Sequence, residues 1–114
     1  MSFRYQYEKM SIARRALMLP HPNGEVESIV VAFGECGHAL HHLDRSDIDD
    51  EVANQALEVI DRVMNVDGLE DTDHLGLNYV KAESLSDAEK SAFSDAVDNL
   101  TSYFDRESQR EVRR

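Results

Sequence analysis

Apolar residues recur at helical spacing along most of the chain, and the clearest run is Glu25–Leu43, EVESIVVAFGECGHALHHL. At 100° per residue Val26, Ile29, Val30, Phe33, Gly37 and Leu40 fall on one stripe, while Val31, Glu35, His38 and His42 gather opposite it. That spacing predicts a helix with one buried face over 25–43. Val, Ile and Phe also favour strands, but the stripe continues through Leu40 and no second strand-like segment offers a pairing edge. Gly34 and Gly37 each weaken a helix by about 1 kcal/mol relative to Ala. On the stripe, Gly37 is expected to admit the close crossing of another helix, and Gly34 to mark a bend or a break.

The flanking segments follow the same period. Residues 5–19 carry Tyr7, Met10, Ala13 and Leu17 on one side and Ile12, Ala16 and Leu19 on another, and the helix is expected to stop at Pro20. Met1–Arg4 reads as a frayed lead-in, and Pro20–Gly24 as a chain reversal. A third helix is predicted over 50–65, capped by Ser46, Asp47 or Asp49, with Val52, Ala56, Val59, Ile60 and Val63 inward and Gly68 as terminator. Residues 66–85 read as a long connection packed down by Leu75, Leu77, Tyr79 and Val80, with one short helical turn in Asn78–Ala82. Ser86-x-x-Glu89 matches a capping box opening a last helix over 86–105, with Ala92, Phe93, Ala96, Leu100 and Phe104 on its stripe. Residues 106–114 hold Val112 as their one apolar side chain and are expected to fray. The result is an all-α bundle of about four helices in a single domain spanning 1–114.

Charge changes the picture more than composition does. The 114 residues carry a formal net charge of −11, which disfavours direct binding to nucleic acid or an anionic membrane and points to a basic partner protein. Residues 44–73 hold eleven acids against only Arg45 and Arg62, a net −9, whereas Arg4, Lys9, Arg14 and Arg15 make the first segment basic. No apolar run approaches the roughly 20 residues of a membrane span, and no secretory leader is visible. The single cysteine, Cys36, cannot close an intrachain disulfide. A cytoplasmic protein is the expectation.

Candidate chemistry is sparse. Glu35, His38 and His42 share a helix face at the spacing used by helical metal ligands, but a dinuclear carboxylate site needs a second Glu-x-x-His that the chain lacks. Cys36 has no histidine at the i+3 or i+4 spacing that a thiolate–base pair on one helix would need. Phosphate-loop, nucleophile-elbow and zinc-protease motifs are not found, so neither an enzyme nor a cofactor is expected. What remains is a surface: Glu51, Glu58 and Asp61 on the outward face of the third helix, with Asp47 and Asp50 leading into it. Carboxylates on a rigid helix receive Arg and Lys through charge-assisted bonds. The expected function is therefore a non-catalytic binding or inhibitory protein, of immunity, antitoxin or anti-defence type, that occludes a basic surface of its partner. The alternatives are a metal-binding helical protein using Glu35, His38 and His42, and a structural or regulatory subunit that forms a homodimer through its two-sided first helix.

Overall fold

The structure, a computed structural model, describes residues 3–18 and 24–113, with side chains through 110. Among these residues are α1 (Arg4–Met18), α2 (Glu25–His41), α3 (Glu51–Met64), α4 (Leu77–Ser84) and α5 (Asp87–Arg113), with one 3-10 turn at Arg45–Asp47 and no strand. The 27 residues of α5 span roughly 40 Å and set the long dimension of a 50 × 29 × 23 Å molecule. α1 and α3 pack along α5, α2 packs on α1, and α4 bridges α2 and α3. The turn expected over Pro20–Asn23 and the apolar position Leu19 lie outside the described residues.

The all-α architecture is the expected one, and the short helical turn expected at Asn78–Ala82 within the 66–85 connection is a two-turn helix, α4. Its entry is fixed by polar bonds: both carboxylate oxygens of Asp71 accept 2.8 Å hydrogen bonds, one from the Leu75 amide and one from Gly76. Gly76 then adopts φ +97, in the left-handed region open to glycine, and starts the helix. The expected anchors do not serve: Leu75 is 56% exposed and Leu77 is exposed, Tyr79 and Val80 are half-buried, and Ala82 and Leu85 make the contact with the core. Ala82 is the residue that the helix turns inward, and Leu85 follows it as the extended C-cap.

The stripes predicted for α1 (Met10 and Ala13, with Tyr7 and Leu17 beside the core) and α5 (Phe93, Ala96, Leu100 and Phe104) are buried as expected, whereas those of α2 and α3 are rotated. α2 buries Ser28, Ile29, Ala32, Phe33, Cys36 and Ala39, so its inner face carries many small side chains that a wheel weighted by large aliphatics overlooks. Gly37 is exposed, and a Cβ added there would meet nothing within 4 Å; it admits no helix crossing within this chain. Gly34 does not break α2, which runs unbroken to His41. α3 buries Ala53, Ala56, Leu57, Ile60 and Val63, one regular stripe of the i, i+3, i+4, i+7 kind, while Val52 is 54% exposed. Val52 turns outward because Asp50 caps the helix, its Oδ1 accepting from the Ala53 amide at 2.9 Å. Ser46, Asp47 and Asp49 are not its cap. Asp44 plays the corresponding part for the 3-10 turn, where the Ser46 hydroxyl and then the Ser46 amide hold its carboxyl below the usual range.

The capping box forms as expected: Ser86 N–H donates to Glu89 Oε1 at 3.0 Å and Glu89 N–H to Ser86 Oγ at 3.1 Å. α5 then continues beyond 105 to Arg113. Tyr103 and Phe104 are buried, and the Gln109–Asp105 and Arg110–Glu107 bonds at 3.0 and 3.1 Å support the turns that follow, so the frayed tail is not observed through Arg113. The lead-in is also firmer than expected, since Phe3 is 6% exposed with its ring 5.3 Å from Phe104 and 6.0 Å from Tyr103. Deep in the bundle Thr101 Oγ1 donates to the Val97 carbonyl at 2.6 Å, with the Met10 carbonyl of α1 at 3.3 Å.

Asp50→Ala removes the α3 cap and is expected to cost about 1 kcal/mol. Urea unfolding checks it, and an unchanged midpoint would show that the cap contributes nothing.

Candidate functional site

The connector from α2 to α3 lies alongside one side of α3. Asn54 Nδ2 donates to the Ile48 carbonyl at 3.2 Å, and the Arg45 guanidinium grips both carboxylate oxygens of Asp61, with Nη2 to Oδ1 at 2.8 Å. The hydrogen bonds to Asp61 raise the Arg45 pKa further above its already high range. Asp50, besides capping α3, places Oδ2 3.9 Å from the Arg106 guanidinium of α5. Two of the five predicted acids, Asp50 and Asp61, therefore answer to cations of this same chain. Arg45 and Arg106 are the residues that sequence reasoning missed; they lie 16 and 56 positions from their partners, and no local signal marks them.

Asp47, Glu51 and Glu58 differ. All three are exposed, and none forms an ion pair among the described residues. Glu51 accepts only a 3.4 Å contact from Gln55 Nε2. The basic residues of α1 do not reach them: Arg4 pairs with Glu8, Arg14 with Asp98 and Lys9 with Glu35. Arg62, on α3 itself, is near enough to Glu89 to help hold that carboxyl below its usual range, where the Ser86 amide is the main cause.

No known protein family, curated protein or solved structure matches the chain. The reading of the site therefore rests on geometry alone.

The imidazole cluster does not assemble. Glu35 Oε2 is buried, 3.8 Å from Lys9 Nζ and 4.0 Å from His38 Nδ1, within ion-pair range and beyond hydrogen-bond range. His42 instead stands edge-on to His41 with ring centroids 4.4 Å apart. Among the described residues no three His, Cys, Asp or Glu side chains converge in a way that could hold a metal ion. No helix among them is long and apolar enough to cross a membrane.

Cys36 is fully buried, and burial, reinforced by the Glu35 carboxylate, pushes its thiol from an ordinary value of 9.0 up to about 12. A nucleophile needs the opposite shift, because the thiolate is the reactive form. The unfolded chain gives up this proton near 9.0 while the native chain keeps it, so the group's contribution to stability is intact below 9.0 and lost as pH rises toward about 12. Reaction with an aromatic disulfide reagent at pH 8 is expected to be slow in the native protein and fast in urea. Equal rates would show that the thiol is open to solvent.

Proposed function

We propose that the protein acts without catalysis, by covering a basic surface of another protein with the carboxylates at the start and outer face of α3. The observation that carries this reading is that Asp47, Glu51 and Glu58 are exposed and meet no cation among the described residues, in a segment of net −9. The capped helix fixes the backbone that carries Glu51 and Glu58, so a partner's Arg or Lys meets carboxylates in a set register and only their side-chain freedom is lost on binding. A field of one sign also speeds encounter with a basic surface. An inhibitory or antitoxin role follows if the covered surface is the partner's working one.

Immobilised protein is expected to retain a basic protein from its own cell lysate, and the triple change Asp47→Lys, Glu51→Lys, Glu58→Lys to lose it. Asp61 is left intact in that variant because it holds Arg45. Retention that survives both the triple change and high salt would remove the electrostatic basis of the proposal.

A further inference from the structure

We infer that the outer side of α1, with the edge of α2 beside it, is the contact surface of a symmetric dimer of this chain, in which two α1 helices pack antiparallel. α1 has two apolar sides in the sequence and the fold covers one: Met10 and Ala13 are buried, whereas Ile12 is 43% exposed and Ala16 half-buried. Tyr5, seven residues before Ile12 and on the same face, is 47% exposed. Lys9 Nζ lies 3.8 Å from Glu35 of α2 and 5.8 Å from the centroid of the Tyr5 ring, which places this side of α1 along its seam with α2. Val31, one turn before Glu35 and 38% exposed, borders the same seam. Three large apolar side chains therefore stand uncovered there, while the inner sides of α1 are taken by α2 and α5.

Charge selects a second copy as the occupant. Tyr5, Glu8, Ile12 and Arg15 recur at i, i+3, i+7 and i+10, one exposed face of α1. Arg15 forms no ion pair among the described residues, and Glu8 meets the Arg4 guanidinium at 3.5 Å with both side chains well exposed. In an antiparallel pair crossing at Ile12, Glu8 stands four residues before the two-fold axis and Arg15 three after it. These offsets differ by one residue, about 1.5 Å of rise, so each Glu8 comes level with Arg15 of the other copy. The contact thus closes two Glu8–Arg15 pairs around an apolar centre.

The charge of the whole chain favours the same place. At a formal −11, two copies repel over most of their surface, and α1, with Arg4, Lys9, Arg14 and Arg15 against Glu8, is where that repulsion is least. Lys9 and Arg14 are already answered by Glu35 and Asp98, so the meeting faces do not oppose each other with the full basic charge of the helix. The 15 residues of α1 make a face roughly 22 Å long, which suits a small, micromolar interface rather than an obligate one. Dimerisation is independent of the acidic-face reading, since Asp47, Glu51 and Glu58 lie on neither α1 nor α2.

Sedimentation of the full chain from low micromolar to submillimolar concentration tests the dimer. The average mass is expected to rise from 13.0 kDa toward twice that value and stop there. Ile12→Lys, at an exposed position, should weaken association about tenfold or more and leave the unfolding midpoint in place. Glu8→Arg and Arg15→Glu should each weaken it about fivefold by setting like charges opposite one another, and the double reversal should restore it to within about twofold. Val52→Lys, 54% exposed on α3, should leave it unchanged. A chain that stays at 13.0 kDa throughout, leaving the seam to another protein or to solvent, overturns the proposal. So does a dimer that survives Ile12→Lys or is lost with Val52→Lys. Mass that keeps rising past the dimer, or a double reversal no better than the single changes, contradicts the antiparallel two-fold arrangement.

Discussion

Phe93→Ala is expected to destabilise the protein by about 3–5 kcal/mol, the range for deleting a fully buried phenylalanine ring. Phe93 is 1% exposed and meets Phe33 edge-on, with centroids 5.1 Å apart and planes at 79°. This contact joins α5 to α2, helices that otherwise reach each other mainly through α1. Truncation leaves a cavity against Phe33 and also loses the edge-to-face pair, worth about 0.5–1.5 kcal/mol beyond its area. Domains of this size are stable by roughly 5–15 kcal/mol, so the variant would sit near the edge of folding. Urea unfolding should show a lower midpoint at unchanged slope. Val52→Ala, at an exposed position, should stay within about 0.5 kcal/mol. A Phe93→Ala loss below about 1 kcal/mol would mean that the ring is not sealed between the two helices.

The second large effect is expected at the chain's beginning. Phe3→Ala should cost about 3 kcal/mol, because its ring covers Phe104 and Tyr103, well along α5. The loss should be regional as well as global, with amide exchange accelerating in α5 around 103–110 before it does around Phe93. Had the first residues been only a frayed lead-in, the same substitution would move stability by no more than about 0.5 kcal/mol. Exchange measured residue by residue separates the two cases.

These two positions also mark where the sequence is legible and where it is not. Periodicity and the Ser86–Glu89 box are local, so the helices and the start of α5 can be read from neighbours in the chain. Phe3 is one residue before a helix and carries no period; its burial comes from side chains about a hundred positions away. The entry to α4 is hidden for a milder reason, since Asp71 reaches four and five residues forward and looks like one more loop acid. Ala32, Cys36 and Ala39 fall outside the predicted stripe because large aliphatics dominate a helical wheel, whereas α2 turns its small residues inward.

The same distinction divides the candidate surface. Asp47, Glu51 and Glu58 are outward on local grounds, and they are outward in the fold. Asp50 and Asp61 look alike in the sequence, yet Asp50 is committed to the α3 cap and Arg106, and Asp61 to Arg45. Counting acids therefore overstates the surface available to a partner, and only the fold shows which carboxylates meet no cation among the described residues.

The most direct measurement is the association rate of the protein with its captured basic partner as a function of ionic strength. The acidic-face account predicts that the rate falls about tenfold or more from low to high salt, and that the Asp47, Glu51 and Glu58 lysine triple flattens the dependence. A rate that is the same at every salt concentration, in both proteins, would contradict it.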